Sequence, residues 1–192
     1  MTTTIGIIRH GSTHWNQLGK AQGHTNNPLD EQGKRQAELL GERLSRESWD
    51  AVYASDLLRA RETAEIVAEK LGAGEVHLDE RLREMNGGQI EGTTEEERVA
   101  KWGKDWKKLD LGLEMPDEGM QRGSSCIEDI ARRHPGQRIL IVSHGALIRN
   151  SLRGLVPDLS LELPLHNTSL TLLQWNEEQW GCDLYNCTVH LD

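Results

Sequence analysis

Two short apolar runs, each ending in a His-Gly pair, constrain this chain more than any other feature. Ile5–Ile8 leads into Arg9-His10-Gly11, and Ile139–Val142 leads into Ser143-His144-Gly145. Branched apolar runs of this length, bounded by turn residues, read as strands buried on both faces, the habit of a parallel sheet between helices. In such sheets ligands bind just beyond the carboxyl ends of the strands. If these two strands are neighbours, two imidazoles and the Arg9 guanidinium enter one crevice.

The rest of the chain supports that layout. Asp30 is a candidate N-cap, and Ala37, Leu40 and Leu44 recur at helical spacing, which predicts an amphipathic helix to about Ser45. Trp49–Ala54 reads as a second strand. Ser55-Asp56 reads as the cap of a helix carrying Leu57, Ala60, Ala64, Val67 and Leu71, stopped by Gly72. A small strand over 75–78, a helix around 94–106 and a helix over 124–133 follow, the last ended by His134-Pro135-Gly136. After the second His-Gly strand come a helix over 146–154 and two late strands, 169–175 and 183–189. Strand and helix alternate throughout. This predicts an α/β fold in three layers, α/β/α, with a mostly parallel central sheet and an antiparallel edge strand. No repeat or linker divides the chain, so residues 1–192 are expected to form a single domain.

Composition narrows the function. A net charge of -9 argues against a general nucleic-acid binder, which would present a basic face. A local cluster such as Arg9, His10, Arg59 and His144 can still be positive on an acidic body and hold a small anion. No apolar run is long enough to span a membrane, and the start, Met1-Thr2-Thr3-Thr4, has no basic region followed by an apolar core. Three cysteines, Cys126, Cys182 and Cys187, do not make a disulfide framework. The expectation is a cytoplasmic protein.

The residue types then suggest a reaction. A neutral imidazole can attack phosphorus near pH 7. Phosphoryl transfer also needs cations on the equatorial oxygens, which arginine's planar fork supplies, and an acid for the leaving oxygen. The motifs around these groups extend along most of the chain. Arg9-His10-Gly11 with Thr13 and Trp15-Asn16 comes first; Gln22-Gly23, Pro28-Leu29, Gly33 and Gln36-Ala37 come next. Ser55-Asp56-Leu57-Leu58-Arg59-Ala60 with Thr63-Ala64, then Leu82-Arg83-Glu84 with Gly88 and Glu91-Gly92, then Ser143-His144-Gly145, complete the set. In this order the motifs resemble the histidine phosphatase (phosphoglycerate mutase-like) superfamily.

The resemblance implies that His10 is the nucleophile and becomes phosphohistidine. It implies that Arg9, Arg59, His144 and Gly145 hold the transferring oxygens, with Asn16 and Gln22 adding hydrogen bonds. Glu84 is implied as the acid that protonates the leaving group and then deprotonates the attacking water. No metal and no cofactor is implied, because side-chain cations take the neutralising role. The implied partner is a small phosphorylated metabolite; edge strands and exposed tryptophans leave a homodimer open, which composition does not decide.

Within the family, Met85-Asn86-Gly87-Gly88-Gln89 after the acid and the short interval to His144 favour a phosphatase over a mutase. Mutase-type transfer and a non-catalytic phospholigand-binding relative are the alternative readings. One segment departs from the family pattern. Asp117-Glu118-Gly119-Met120 and Gly123-Ser124-Ser125 reach His134-Pro135-Gly136 early, so the helix beside the strand of His144 is expected to be shortened or displaced. Other residues have plainer readings. His10 and His14 are four apart but lack a completing carboxylate or cysteine for a metal site. His24 is a loop residue that could border the pocket. His77, His134 and His190 read as surface or structural, and Cys182 and Cys187 as buried thiols. Trp102 and Trp106 read as a packing stripe or as the wall of a substrate pocket.

Overall fold

Burial on both faces makes β1 (Thr3–Arg9) and β4 (Arg138–Ser143) the centre of the sheet. The computed structural model describes residues 1–161 and 163–192 and sets these two strands side by side and parallel. Ile5 lies opposite Ile139 and Arg9 opposite Ser143, so both His-Gly pairs emerge at one end. β2 (Ala51–Ala54) pairs in parallel with β4, and the short β3 (His77–Leu78) in parallel with β2. β5 (Leu170–Trp175) runs antiparallel to β1, and β6 (Trp180–Cys187) antiparallel to β5. The order is β3-β2-β4-β1-β5-β6, with the parallel block and antiparallel edge that strand alternation predicts.

The helices are α1 (His14–Gln17), α2 (Glu31–Leu44), α3 (Leu58–Leu71), α4 (Glu95–Trp102), α5 (Pro116–Arg133) and α6 (Gly145–Leu155). Successive strand side chains leave opposite faces. Ile5, Ile7, Ile139 and Ile141 therefore pack with Ile127, Ile130, Ile148 and Leu152 of α5 and α6. Ile8, Leu140 and Val142 pack with Leu40, Leu44, Ala60, Ala64 and Val67 of α2 and α3. These side chains are almost wholly buried, and truncating one of the large ones to alanine costs about 2–5 kcal/mol.

Two expectations about helices are corrected. Ser55-Asp56 does not cap α3: Leu57 is the N-cap, the Ser55 hydroxyl accepts from the Leu57 N–H at 3.2 Å, and Asp56 pairs with Arg83. The helix before β4 is neither short nor displaced. It runs the full 18 residues from Pro116, which suits the first helical position because it has no N–H to leave unpaired. Its apolar period fades in sequence because Gly119 and Gly123 occupy buried positions. A Cβ on Gly119 would lie 2.1 Å from the Met85 sulfur, and one on Gly123 would lie 2.0 Å from the Ser151 hydroxyl. Close approach to α6 and to the loop after Glu84 thus replaces side-chain burial there. The last strand is shifted from its expected place, running from Trp180 to Cys187, with Val189 in a turn beyond it.

Candidate active site

The His10 loop is set by backbone constraints. The His10 N–H continues the ladder to Ser143 O at 3.0 Å, and the Gly11 N–H donates to the Thr63 hydroxyl at 3.0 Å. A Cβ on Gly11 would sit 2.6 Å from the Gly33 carbonyl, so only glycine lets the loop cross the first turn of α2. His10 is buried, with Nδ1 2.7 Å from Gly11 O. A carbonyl can only accept, so Nδ1 carries the proton and Nε2 the lone pair. Burial, then the Arg59 and Arg9 charges, push this imidazole well below its usual range, and it stays neutral at working pH.

His144 follows β4 as the N-cap of α6, with its ring centroid 5.2 Å from that of His10. It is fully buried, and neither ring nitrogen has a hydrogen-bond partner among the described residues. Burial, Arg59 and His10 hold its pKa well below the usual range. Arg59 lies in the first turn of α3 and is also fully buried. Its Nη1 donates to Thr25 O at 2.9 Å and its Nη2 to Gly23 O at 2.8 Å, while Nε has no partner among the described residues. Burial pushes this guanidinium down to about 10, against the opposing pull of Glu84 and Glu91. Arg9 repeats the pattern: Nη1 donates to Leu165 O, Nε is buried without a partner, and burial lowers its pKa. Buried polar groups normally pair inside the protein. Here two guanidinium Nε–H groups and an imidazole stand unmatched around His10, the arrangement of a site that receives an anion.

Glu84 reaches the same place from a loop. Its Oε1 accepts from Leu147 N and Met85 N, both at 2.9 Å, and Oε2 accepts from Ala146 N at 3.3 Å. The carboxylate thus caps the first turn of α6, beside His144. The loop is pinned from behind. Ser143 Oγ donates to Leu82 O at 2.8 Å, and Arg122 Nη1 donates to Arg81 O at 2.7 Å and to Arg83 O at 2.9 Å. Asn16 and Gln22 come to the opposite side. The Thr13 N–H donates to Asn16 Oδ1 at 3.1 Å, and the Thr13 hydroxyl donates its one proton to Gln22 Oε1 at 3.0 Å. Both carboxamide oxygens are committed within the protein, which leaves their NH2 groups as donors. Gly145 opens α6 beside the Arg9 guanidinium, 3.4 Å from where its Cβ would lie.

The chain matches the histidine phosphatase superfamily (branch 1) over residues 5–188. The chain belongs to that superfamily. It is 34% identical to an uncharacterized phosphatase, PhoE, of Bacillus subtilis, over 98% of this chain and 97% of that one. It is 31% identical to a metal-independent phosphoserine phosphatase of Arabidopsis thaliana, over 98% of this chain and 83% of the relative. A solved phosphoserine phosphatase of Entamoeba histolytica, in complex with 3-phosphoglyceric acid, superposes with a TM-score of 0.84 at 32% identity, covering 99% of this chain and all of that one. By family and by these relatives the protein is a phosphomonoesterase.

His24 borders the site as its loop position suggested, and its Nε2 donates to the Glu84 carbonyl at 2.8 Å. Other residues of this histidine phosphatase carry no assigned role in the sequence. Glu91 accepts from the N–H groups of His24, Thr25 and Gly87 and from the Thr25 hydroxyl, and so shapes the loop whose carbonyls hold Arg59. Its position in the motif beside Gly92 was the available signal. Thr63 joins α3 to the His10 loop, its hydroxyl donating to Arg59 O at 2.7 Å while accepting from Gly11. Asn167 Nδ2 donates to His10 O at 2.9 Å, a contact no local pattern announces. Trp106 is buried with Ile90 and Leu111 in a short turn after α4, with Trp102 half-buried against them, and its Nε1 donates to Glu95 at 2.9 Å. Cys126 is buried, whereas Cys182 and Cys187 are half-buried rather than fully enclosed. No helix is long and apolar enough to cross a membrane among the described residues.

Proposed function

We propose that residues 1–192 form one catalytic domain that hydrolyses small phosphomonoesters through a phosphohistidine on His10. The observation that carries this reading is the buried, neutral His10 with a free Nε2, ringed by the unpartnered Nε–H groups of Arg9 and Arg59 and by His144. Two guanidinium groups in a low-dielectric site are worth far more to an incoming phosphoryl group than in water. Because they are already desolvated and fixed, little reorganisation is needed as charge shifts in the transition state.

In the first step His10 Nε2 forms a bond to phosphorus as the ester P–O bond breaks. The leaving oxygen takes its proton from the Glu84 carboxyl. Oε2 is the suited atom, since it accepts only one long hydrogen bond whereas Oε1 accepts two shorter ones. In the second step the Glu84 carboxylate takes a proton from water, the water oxygen attacks phosphorus, and the P–N bond breaks to release phosphate. Asn16, Gln22 and the Gly145 end of α6 contribute neutral donors to the phosphoryl oxygens. The substrate class follows the relatives named above: a small phosphorylated acid of the phosphoserine or 3-phosphoglycerate type.

The test is phosphate release in EDTA from phosphoserine, 3-phosphoglycerate, sugar phosphates and an aryl phosphate, with His10→Ala alongside. Metal-independent turnover, highest on the three-carbon acids and lost in the variant, supports the proposal. Turnover that persists in His10→Ala overturns the phosphohistidine route, and interconversion of phosphoglycerates as fast as phosphate release would favour the mutase reading.

A further inference from the structure

Thr168 has a backbone φ of 55°, the left-handed region that a β-branched residue rarely adopts. It is fully buried and lies directly behind the nucleophile. Its N–H donates to Arg9 O at 2.9 Å and to His10 O at 3.3 Å. Its neighbours grip the same two residues: Asn167 Nδ2 donates to His10 O at 2.9 Å, Leu165 O accepts from the Arg9 guanidinium, and Ser169 O accepts from Arg9 N at 3.3 Å. The segment 165–169 is therefore the back wall of the Arg9-His10 pair, and its central residue is strained.

What holds that residue comes from the far end of the chain. His190 sits in the turn Val189–Leu191, with Nε2 3.1 Å from the Thr168 hydroxyl and Nδ1 3.4 Å from Arg43 Nη1 of α2. The hydroxyl has one proton, which it gives to Asn167 O at 2.8 Å. It must therefore accept from His190, which makes Nε2 the protonated ring atom and leaves Nδ1 to accept from Arg43. Every donor and acceptor in this chain of contacts is matched in one arrangement only.

We infer that His190 is a positioning residue for the phosphoryl-transfer site, acting through the left-handed Thr168 to fix His10 and Arg9 against β4. The inference rests on the phosphohistidine reading above. Burial and the Arg43 charge push the His190 imidazole down to about 4, so the neutral ring and its single bonding pattern persist through the working range. Without the ring the Thr168 hydroxyl loses its second partner, the strained turn relaxes towards ordinary φ, and the carbonyls of Arg9 and His10 lose their common donor. A small displacement of a reacting atom is enough to slow the chemical step strongly.

The test is a mutant cycle on full-length protein, read as kcat and KM on an aryl phosphate together with melting temperature. His190→Ala is expected to lower kcat about tenfold, with KM changed less than about twofold. His190→Gln, which restores an N–H at that place, is expected to recover most of the loss. Glycine tolerates the left-handed conformation unaided, so His190→Ala in a Thr168→Gly background should cost little beyond Thr168→Gly alone. Arg43→Met, with and without Thr168→Gly, reads the same clamp from its other end should His190→Ala fold poorly. Wild-type kcat in His190→Ala, or losses that simply multiply in the double variant, would overturn the inference. The His10→Ala control separates this from failure of the phosphohistidine reading, since turnover that survives in that variant sinks the parent proposal whatever the cycle gives.

Discussion

Two groups of arginines a few residues apart in space have opposite electrostatics. Arg81, Arg83 and Arg122 brace the loop of Glu84, and each is matched. Arg81 reaches Asp79 and Asp129, Arg83 reaches Asp56, and Arg122 reaches Glu114 and three backbone carbonyls. Their carboxylate partners raise the pKa of Arg81 and Arg83. Arg9 and Arg59 donate only to carbonyls, keep a buried Nε–H without a partner, and are lowered by burial. A satisfied arginine is scaffold. An arginine buried short of partners is held in readiness for a charge that arrives from outside, at a cost in folding energy.

The largest effect that would sharpen this contrast is at the atom both arginines surround. His10→Ala should reduce kcat by about 10³-fold or more, without loss of the cooperative unfolding transition, measured by phosphate release and circular dichroism. Next come the arginines themselves. Arg59→Met should lower kcat/KM by about 10²–10³-fold, as for loss of one preorganised donor. The same change should move stability by only about 1 kcal/mol either way, because it also removes a buried, half-matched charge. Arg122→Met should do the reverse, destabilising by about 1–3 kcal/mol in urea, since it leaves Glu114 and the carbonyls unpaired, with a smaller loss of rate. If both variants lost stability equally, the division into scaffold and waiting groups would fail.

A pH dependence should come from the imidazoles held neutral by burial, those of the waiting site together with His190 behind it. His10 and His144 are held neutral in the fold, so between their lowered values and about 6.5 the unfolded chain binds more protons. Stability contributed by the neutral rings is complete above pH 6.5 and declines as pH falls below it. Urea midpoints at pH 7.5 and 5.5 should differ by roughly 1 kcal/mol or more in stability. In His10→Asn/His144→Asn that difference should shrink. The bracing pairs add nothing in this window, because the Asp56 and Asp79 carboxyls are lowered and titrate at more acid pH. The smallest effect belongs to Arg61, two residues from Arg59 but exposed and paired with Glu65. Arg61→Ala should leave turnover and melting temperature unchanged.

Much of the front of the site was legible because strand ends announce themselves: an apolar run, a glycine turn and a charged side chain between them gave His10, Arg9 and His144. Arg59 and Glu84 came from motif spacing, since alone each reads as a solvated surface charge. The back of the site was not legible. Thr168, Asn167, His190 and Arg43 meet each other and the His10 loop through contacts spanning 22 to 157 positions, and no local period encodes them. α5 was underestimated for a different reason. Its buried face uses Gly119 and Gly123, and a search for large apolar residues passes over positions whose role is to let two helices touch.

The central claim is that phosphorus bonds to His10 before it meets water. The direct measurement is to mix enzyme with excess phosphoserine or aryl phosphate, quench within the first turnovers into alkaline denaturant, and map the phosphorylated peptide by mass spectrometry. The account predicts one phosphoryl group on the peptide carrying His10, absent in His10→Ala and accumulating in Glu84→Gln when the leaving group is a good one. Turnover with no phosphorylated histidine, or with the label on another residue, would contradict it.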